Sequence, residues 1–380
     1  MHNRWFFHSR KPYYIHMIQL DPRIEMTIGK LGFRELTTVQ QQAIPIIMQG
    51  KNLLAQSKTG TGKTAAFAIP ILQKLEENNK LQAIVIEPTR ELAIQVGNEF
   101  RKIAGEMPFR TVVAYGGTGA ERQKELLEKG ANVLVGTPDR TLDLIASKDA
   151  KLDCLKFIVL DEADLLFEYG LALKTKKLLN LIPERAQKLF FCVHLPKTLE
   201  EEASKYLKTF ERIKTFEGSG KIVEQLDHQV KFIEGNDKKL AELVKLLKEG
   251  RKTLVFCKTK ESVKELNFKL FKAGLKTRML HGDFDAERRN KAINAFRKGE
   301  PKILVATDVA ARGIHVPGLE LVVNYELPQN YDFYLHRIGR TARLGGSGTV
   351  VTLVEKTEEK RWKEIQNKLG STLQTPQKRF

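Results

Sequence analysis

The sequence predicts an α/β protein built as two tandem domains, each a mostly parallel sheet flanked by helices. Three observations predict it. Short β-branched runs alternate with longer amphipathic stretches, and strands buried on both faces of a parallel sheet read as such continuous apolar runs. A run ending in threonine closes at Thr89 and Thr137, then again at Thr259 and Thr307, with equal spacing inside each pair. The 380 residues exceed the usual length of one such domain.

Taken in order, residues 1–14 form an extension that is aromatic and basic: Arg4, Arg10 and Lys11 stand among Trp5, Phe6, Phe7, Tyr13 and Tyr14. It lacks the apolar core of a signal peptide; its rings could stack on bases, but a loosely docked or poorly ordered extension is the reading expected. The first domain takes residues 15–217. "NLLAQ" (52–56) predicts a strand, "AAFAIPILQKL" (65–75) a helix, and "AIVIEP" (83–88), "NVLVGT" (132–137) and "FIVLDEA" (157–163) further strands. The join falls near "FEGSGKIVEQ" (216–225), where Gly218, Ser219 and Gly220 break the pattern. The second domain takes 218–356, with strands at "TLVFCK" (253–258), "KILVAT" (302–307) and "LVVNYE" (321–326) and helical stretches at 237–249 and 286–298. Residues 357–380 begin as a charged helix and end as a basic extension. Ligands of such folds sit at the C-terminal ends of the strands, so the four threonines are candidates to face a common groove.

The net charge is +18, from 64 basic and 46 acidic residues. That balance suits a polyanionic partner such as nucleic acid, although it also suits a highly charged solvated surface. Cys154, Cys192 and Cys257 form no closely spaced pair; buried reduced thiols of a cytoplasmic protein are expected, not a zinc site. No apolar run reaches membrane-spanning length.

Between the first strand and its helix runs Ser57-Lys58-Thr59-Gly60-Thr61-Gly62-Lys63-Thr64, matching the end of a phosphate-binding loop. Gly60 and Gly62 let backbone N–H groups turn toward phosphate oxygens. The helix N-terminus adds a favourable dipole. Lys63 would reach the outer phosphates and Thr64 would ligate Mg²⁺. Ser57 stands where the first glycine is usual. A nucleotide hydrolase also needs an acidic strand end, and "FIVLDEAD" supplies one. Asp161 would hold Mg²⁺, and Glu162 would orient or deprotonate the attacking water.

"SKTGTGKT", "PTRELA", "GG", "TPDR", "DEAD", "ATDVAARG" and "HRIGRTAR" occur in the order and spacing of the DEAD-box RNA helicases. The chain resembles that family over roughly residues 15–355. The resemblance implies two RecA-like domains, with ATP and Mg²⁺ between them and RNA across both. It implies that Thr37 and Gln40 read adenine, that Gly313 joins the nucleotide site, and that Arg340 and Arg343 are arginine fingers. It places Pro88, Thr89, Arg90, Gly117, Thr137, Arg140, Thr259, Arg289 and Thr307 on RNA, contacting phosphate and sugar without reading bases. Some of these threonines would equally serve as caps of the helices that follow their strands. Asp164, Cys192, His194 and His336 are the implied coupling residues between hydrolysis and strand separation.

The sequence departs from the family pattern at Cys192-Val193-His194, where Ser-Ala-Thr is usual, and His194 is then the candidate to reach Asp164. His315 replaces an aspartate, Ala286 a glutamine, and Ile15 the upstream aromatic. Leu36 and Thr38 replace prolines. The function expected is an RNA-dependent ATPase that acts as a non-processive helicase, a cytoplasmic monomer with RNA and protein cofactors as partners and no membrane. The alternative is an ATP-gated RNA clamp that unwinds weakly. A DNA translocase is a third reading, which the literal D-E-A-D opposes.

Overall fold

The computed structural model describes residues 20–57, 60–117, 119–167, 170–215, 226–284, 286–311, 316, 318–329, 331–341 and 348–369. The predicted roles of Lys58, Thr59, Gly313 and Arg343, the departures at Ile15 and His315, and the terminal extension 1–14 lie outside them. The chain divides into two compact units, 1–216 and 217–380.

The first unit carries seven strands: β1 (Asn52–Gln56), β2 (Ala83–Ile86), β3 (Thr111–Ala114), β4 (Val133–Gly136), β5 (Phe157–Leu160), β6 (Gln187–Cys192) and β7 (Phe210–Lys214). Their order across the sheet is β3-β4-β2-β5-β6-β1-β7. The second carries β8 (Leu226–Ile233), β9 (Thr253–Cys257), β10 (Arg278–Leu280), β11 (Ile303–Thr307), β12 (Leu321–Asn324) and β13 (Gly348–Glu355), ordered β10-β11-β9-β12-β13-β8. Every pairing among the described residues is parallel. The predicted fold class is the observed one.

Each central strand is apolar on both faces because helices cover both. Alternate residues of β2 and β5 feed opposite cores: Val85 and Val159 join one cluster, and Ile86 and Leu160 the other. On the first face, Phe67 of the Lys63–Lys74 helix lies 5.2 Å from Phe191 and 5.9 Å from Phe100, centroid to centroid. That packing anchors the helix whose first turn carries the phosphate loop. In the second unit Trp362 and Tyr334 are fully buried beneath the sheet, in ring contact at 5.6 Å. No helix among the described residues is long and apolar enough to cross a membrane.

Candidate nucleotide site and nucleic-acid face

The phosphate loop leaves β1 at its C-terminal end, as the sheet rule requires. Gly62 caps the Lys63–Lys74 helix with φ +88°, and Gly60 takes φ +76°. Both angles lie in the left-handed region that glycine enters at no steric cost. A Cβ on Gly62 would stand 2.3 Å from Gln40 Nε2, so this position needs glycine twice over. Ser57 is fully buried, its hydroxyl 2.6 Å from that of Thr61. The residue in place of a glycine therefore braces the loop from inside.

Lys63 is buried and turned toward the acidic strand end. Its Nζ lies 3.2 Å from Glu162 Oε1 and 3.9 Å from Asp161 Oδ1. Burial pulls its pKa down, but the charges of Glu162, Asp161 and Asp164 outweigh that, and the ammonium is held well above its ordinary value. Burial pushes Asp161 up to about 6, with Lys63 opposing. Glu162 adopts φ +50°, ψ +48° at the start of the Ala163–Leu166 turn. A non-glycine residue held there stores strain, and strained backbone of this kind concentrates at functional sites.

Gln40 is buried, and its amide is engaged at both ends: Nε2 donates to Gly62 O at 3.1 Å, and Oε1 accepts from Thr37 N at 3.0 Å. The residue expected to read adenine is thus also a strut of the phosphate loop. Thr37 Oγ1 is buried without a hydrogen-bond partner.

The coupling segment meets the second DEAD aspartate, as expected of His194, through its backbone. Asp164 Oδ2 accepts from the backbone N–H groups of His194 (2.9 Å) and Val193 (3.3 Å). The Cys192 thiol is fully buried and donates to Ala55 O at 3.7 Å. Main-chain N–H groups of this segment thus hold the second DEAD aspartate, and the Cys192 thiol bonds across from β6 to β1.

The residues expected on RNA gather on the other half of the same edge. Pro88, Thr89 and Arg90 follow β2, Gly117 follows β3, and Thr137 and Arg140 follow β4; these three strands are neighbours, while β5, β6 and β1 carry the phosphate site. Thr89 caps its helix by accepting from Leu92 N. Arg90 lies over the Tyr115 ring at 4.2 Å, and its Nε and one terminal nitrogen are buried with no hydrogen-bond partner. Arg140 Nε donates to Gln123 Oε1 at 3.0 Å. Gly117 is exposed at φ +109°, and Thr137 caps its helix without a side-chain bond.

The second unit repeats the plan. Thr259 follows β9 and accepts from Ser262 N at 3.1 Å. Thr307 ends β11 and accepts from Ala310 N at 3.4 Å. Arg289 is half-buried on the Ala286–Lys298 helix. Three of the four threonines therefore cap helices through their side chains. His336 and Arg340 line one small cleft with Asp308 and Arg337, and Arg340 Nε donates to His336 O at 3.2 Å.

Two residues escaped sequence reasoning. Arg337 is 1% exposed and forks onto Asp308 with bonds of 2.6 and 2.7 Å. It also donates to Asn324 and to Glu326 O. It is the brace of the motif, turned inward while His336 and Arg340 stay half-buried. Glu87 follows β2 and Asp161 follows its neighbour β5, one residue past the last register pair Ile86–Leu160. It is fully buried and both its carboxyl oxygens lack a hydrogen-bond partner. Burial, with the charges of Asp161 and Glu162, holds its carboxyl well above the usual range. Its place in a uniformly apolar strand run was the available signal.

Comparisons with known proteins agree with this layout. The DEAD/DEAH box helicase family profile matches residues 37–201, and the helicase conserved C-terminal domain profile matches 238–345. The ATP-dependent RNA helicase CshA of Listeria monocytogenes is 36% identical over 345 residues, 89% of this chain and 65% of that protein. A probable ATP-dependent RNA helicase of Methanocaldococcus jannaschii is 38% identical over 92% of this chain and 94% of its own length. The solved structure of S. cerevisiae Dbp5 bound to RNA and ADP BeF3 superposes with a TM-score of 0.84 at 29% identity, covering 94% of this chain and 93% of that one. The chain thus spans just under two thirds of the Listeria relative and nearly all of the archaeal one. Ordered motifs, two parallel sheets and relatives matched over most of this chain lead to one conclusion: the chain belongs to the DEAD-box ATP-dependent RNA helicase family.

Proposed function

We propose that the chain is an RNA-stimulated ATPase that closes its two units on RNA and separates short duplexes, or remodels RNA–protein complexes, locally and without processive travel. The observation that carries this is one sheet edge holding two chemistries. Lys63, Asp161 and Glu162 meet on the β5-β6-β1 half, and Arg90 stands over the Tyr115 ring on the β3-β4-β2 half, with two guanidinium nitrogens that no protein group satisfies. The Dbp5 structure, bound to RNA and ADP BeF3, supports the same pair of ligands.

The residues fit a magnesium nucleotide. Thr37 Oγ1 is an orphaned buried polar atom, and the glycine cradle at Gly62 has no room for a side chain. Thr64 and Asp161 are the groups that would hold magnesium, which when bound neutralises phosphate charge. Lys63 exchanges its carboxylate partners for phosphate oxygens. Glu162, released from Lys63, orients the attacking water and accepts its proton. Arg340 and Arg343 of the second unit neutralise charge in the transition state. Pro88, Thr89, Arg90, Gly117, Thr137, Arg140, Thr259, Arg289 and Thr307 hold the RNA backbone, and 2′-hydroxyl contacts favour RNA over DNA. We take the protein to act in the cytoplasm, in keeping with its three free thiols, and as a monomer.

The test is steady-state ATP turnover with oligouridylate, with the matching deoxy-oligomer and with neither, at low and moderate salt, beside Glu162→Gln. Stimulation by RNA alone, weakened by salt as phosphate contacts require, and lost in Glu162→Gln, supports the reading; equal rates in all arms overturn it. The Cys192 thiol, committed to Ala55 O, favours one alternative, an ATP-gated clamp. ATP-dependent RNA binding with little turnover identifies that case.

A further inference from the structure

The N-terminal ends of β9, β10 and β11 enclose a groove of about 900 Å³. It lies at the end of the second sheet opposite Thr259 and Thr307, about 16 Å away along a five-residue strand. Leu247, Pro301 and Ile303 line it. Phe268 and Phe271, one turn apart on the Lys260–Lys272 helix, face it while 56% and 72% exposed. Among the described residues they are the exposed large hydrophobics of the second unit. Nothing in the nucleotide or RNA chemistry explains why two phenylalanines should stand in water there, and adjacent exposed aromatics mark interaction surfaces.

The rim is basic. Arg251, Lys276, Arg278 and Lys302 line the groove, opposed by Glu300 in the lining and by Glu249, which pairs with Arg251 at 2.6 Å. Lys272 adds its ammonium 4.5 Å over the Phe268 ring. We propose that this groove docks a short acidic segment of a protein partner, seating one or two apolar side chains against Phe268 and Phe271 and its carboxylates on the basic rim. The volume is that of a side-chain-binding cleft, and a linear segment with spaced apolar anchors is the usual occupant of such a groove. Charge decides the occupant's sign. It also argues against this chain's own ends, since residues 1–14 carry Arg4, Arg10 and Lys11, and the last residues carry Lys378 and Arg379. RNA would match the charge, but the two uncharged polar side chains of the lining, Asn267 and Thr277, are bonded to each other at 2.7 Å, and Leu247, Pro301, Ile303, Phe268 and Phe271 make the rest of the floor apolar. A partner held here leaves the strand ends that carry ATP and RNA chemistry uncovered. It would bring the ATPase to its substrate without competing for it.

The test starts with a random dodecapeptide phage library, panned on the full chain with counter-selection on a Phe268→Glu/Phe271→Glu variant. Enriched peptides are then made with fluorescein and titrated by anisotropy. The expected peptides are net negative with an aromatic or aliphatic anchor. They bind about tenfold or more weakly to Phe271→Glu and to Arg278→Glu, about 1.4 kcal/mol, and ATP turnover is unchanged in both variants. Arg278 is an exposed strand-end residue, so its variant reads out even where a phenylalanine substitution disturbs the fold. Peptides without a charge bias, peptides that bind the variants equally, or no enrichment at all overturn the proposal. Displacement of the peptide by oligouridylate, with RNA binding lost in Phe271→Glu, also overturns it and assigns the groove to RNA.

Discussion

Lys63 Nζ lies 3.2 Å from Glu162 Oε1, with Lys63 buried and Glu162 13% exposed, although the two are far apart in sequence. The lysine is the cation among Glu162, Asp161 and Asp164. Removing one partner of a buried pair strands the other charge, at about 3–5 kcal/mol. Lys63→Met should therefore lower the nucleotide-free stability of the first unit by that order, read as a shift in the urea midpoint. Glu162→Gln, which leaves Lys63 beside Asp161, should shift it far less.

Glu87 is a buried carboxyl without hydrogen bonds. Its folded pKa is raised, by burial first and then by Asp161 and Glu162. A raised carboxyl stabilises the fold fully below its unfolded pKa, and that contribution is lost as pH rises through the folded value. Glu87→Val should stabilise the protein by about 1–3 kcal/mol at pH 8. The advantage should shrink toward pH 5 in chemical denaturation.

His228 on β8 stacks at 6.3 Å on Trp362 and contacts the Tyr334 hydroxyl, with Asp227 alongside. Burial lowers its pKa to about 4, against a weaker upward pull from Asp227. The unfolded chain takes the proton first, near pH 6.5, so stability is complete above that and falls until the folded pKa is reached. Between pH 6.5 and 4 the loss from this residue should be about 2–3 kcal/mol. His228→Gln should flatten the slope of the second unit's unfolding midpoint over that range.

Gln40 ties Thr37 N to Gly62 O. Gln40→Ala removes two hydrogen bonds worth about 1 kcal/mol each, loosening the glycine that turns the loop. The Michaelis constant for ATP should rise about tenfold, with turnover at saturation much less affected, in a titration of initial rates.

Asp164 is held by the amides of Val193 and His194. His194→Ala keeps the N–H and should keep duplex separation. His194→Pro deletes it and should slow separation about tenfold, the worth of one charge-assisted bond, while ATP turnover falls less. Equal loss in both variants would place the coupling in the imidazole.

Much of this was legible in the chain itself. β2, β5, β9, β11 and β12 show as apolar runs because helices bury both their faces. The phosphate loop shows because its glycines and lysine act within a few residues of one another. β7, "FERIK", and β10, three residues long, did not show. Both lie at sheet edges with a single neighbour, where half-exposed polar residues erase the apolar signal.

By itself the sequence determined two parallel α/β units, a phosphate loop and an acidic strand end, because these rest on patterns among near neighbours. The tertiary structure alone decided which charges turn inward. Arg337 sits in a basic motif, and its partner Asp308 comes from the turn after β11. Glu87 sits in an apolar run, and its neighbour Asp161 comes from the adjacent strand. A buried charge is set by what surrounds it, and those surroundings come from strands and helices that meet only when the sheet assembles.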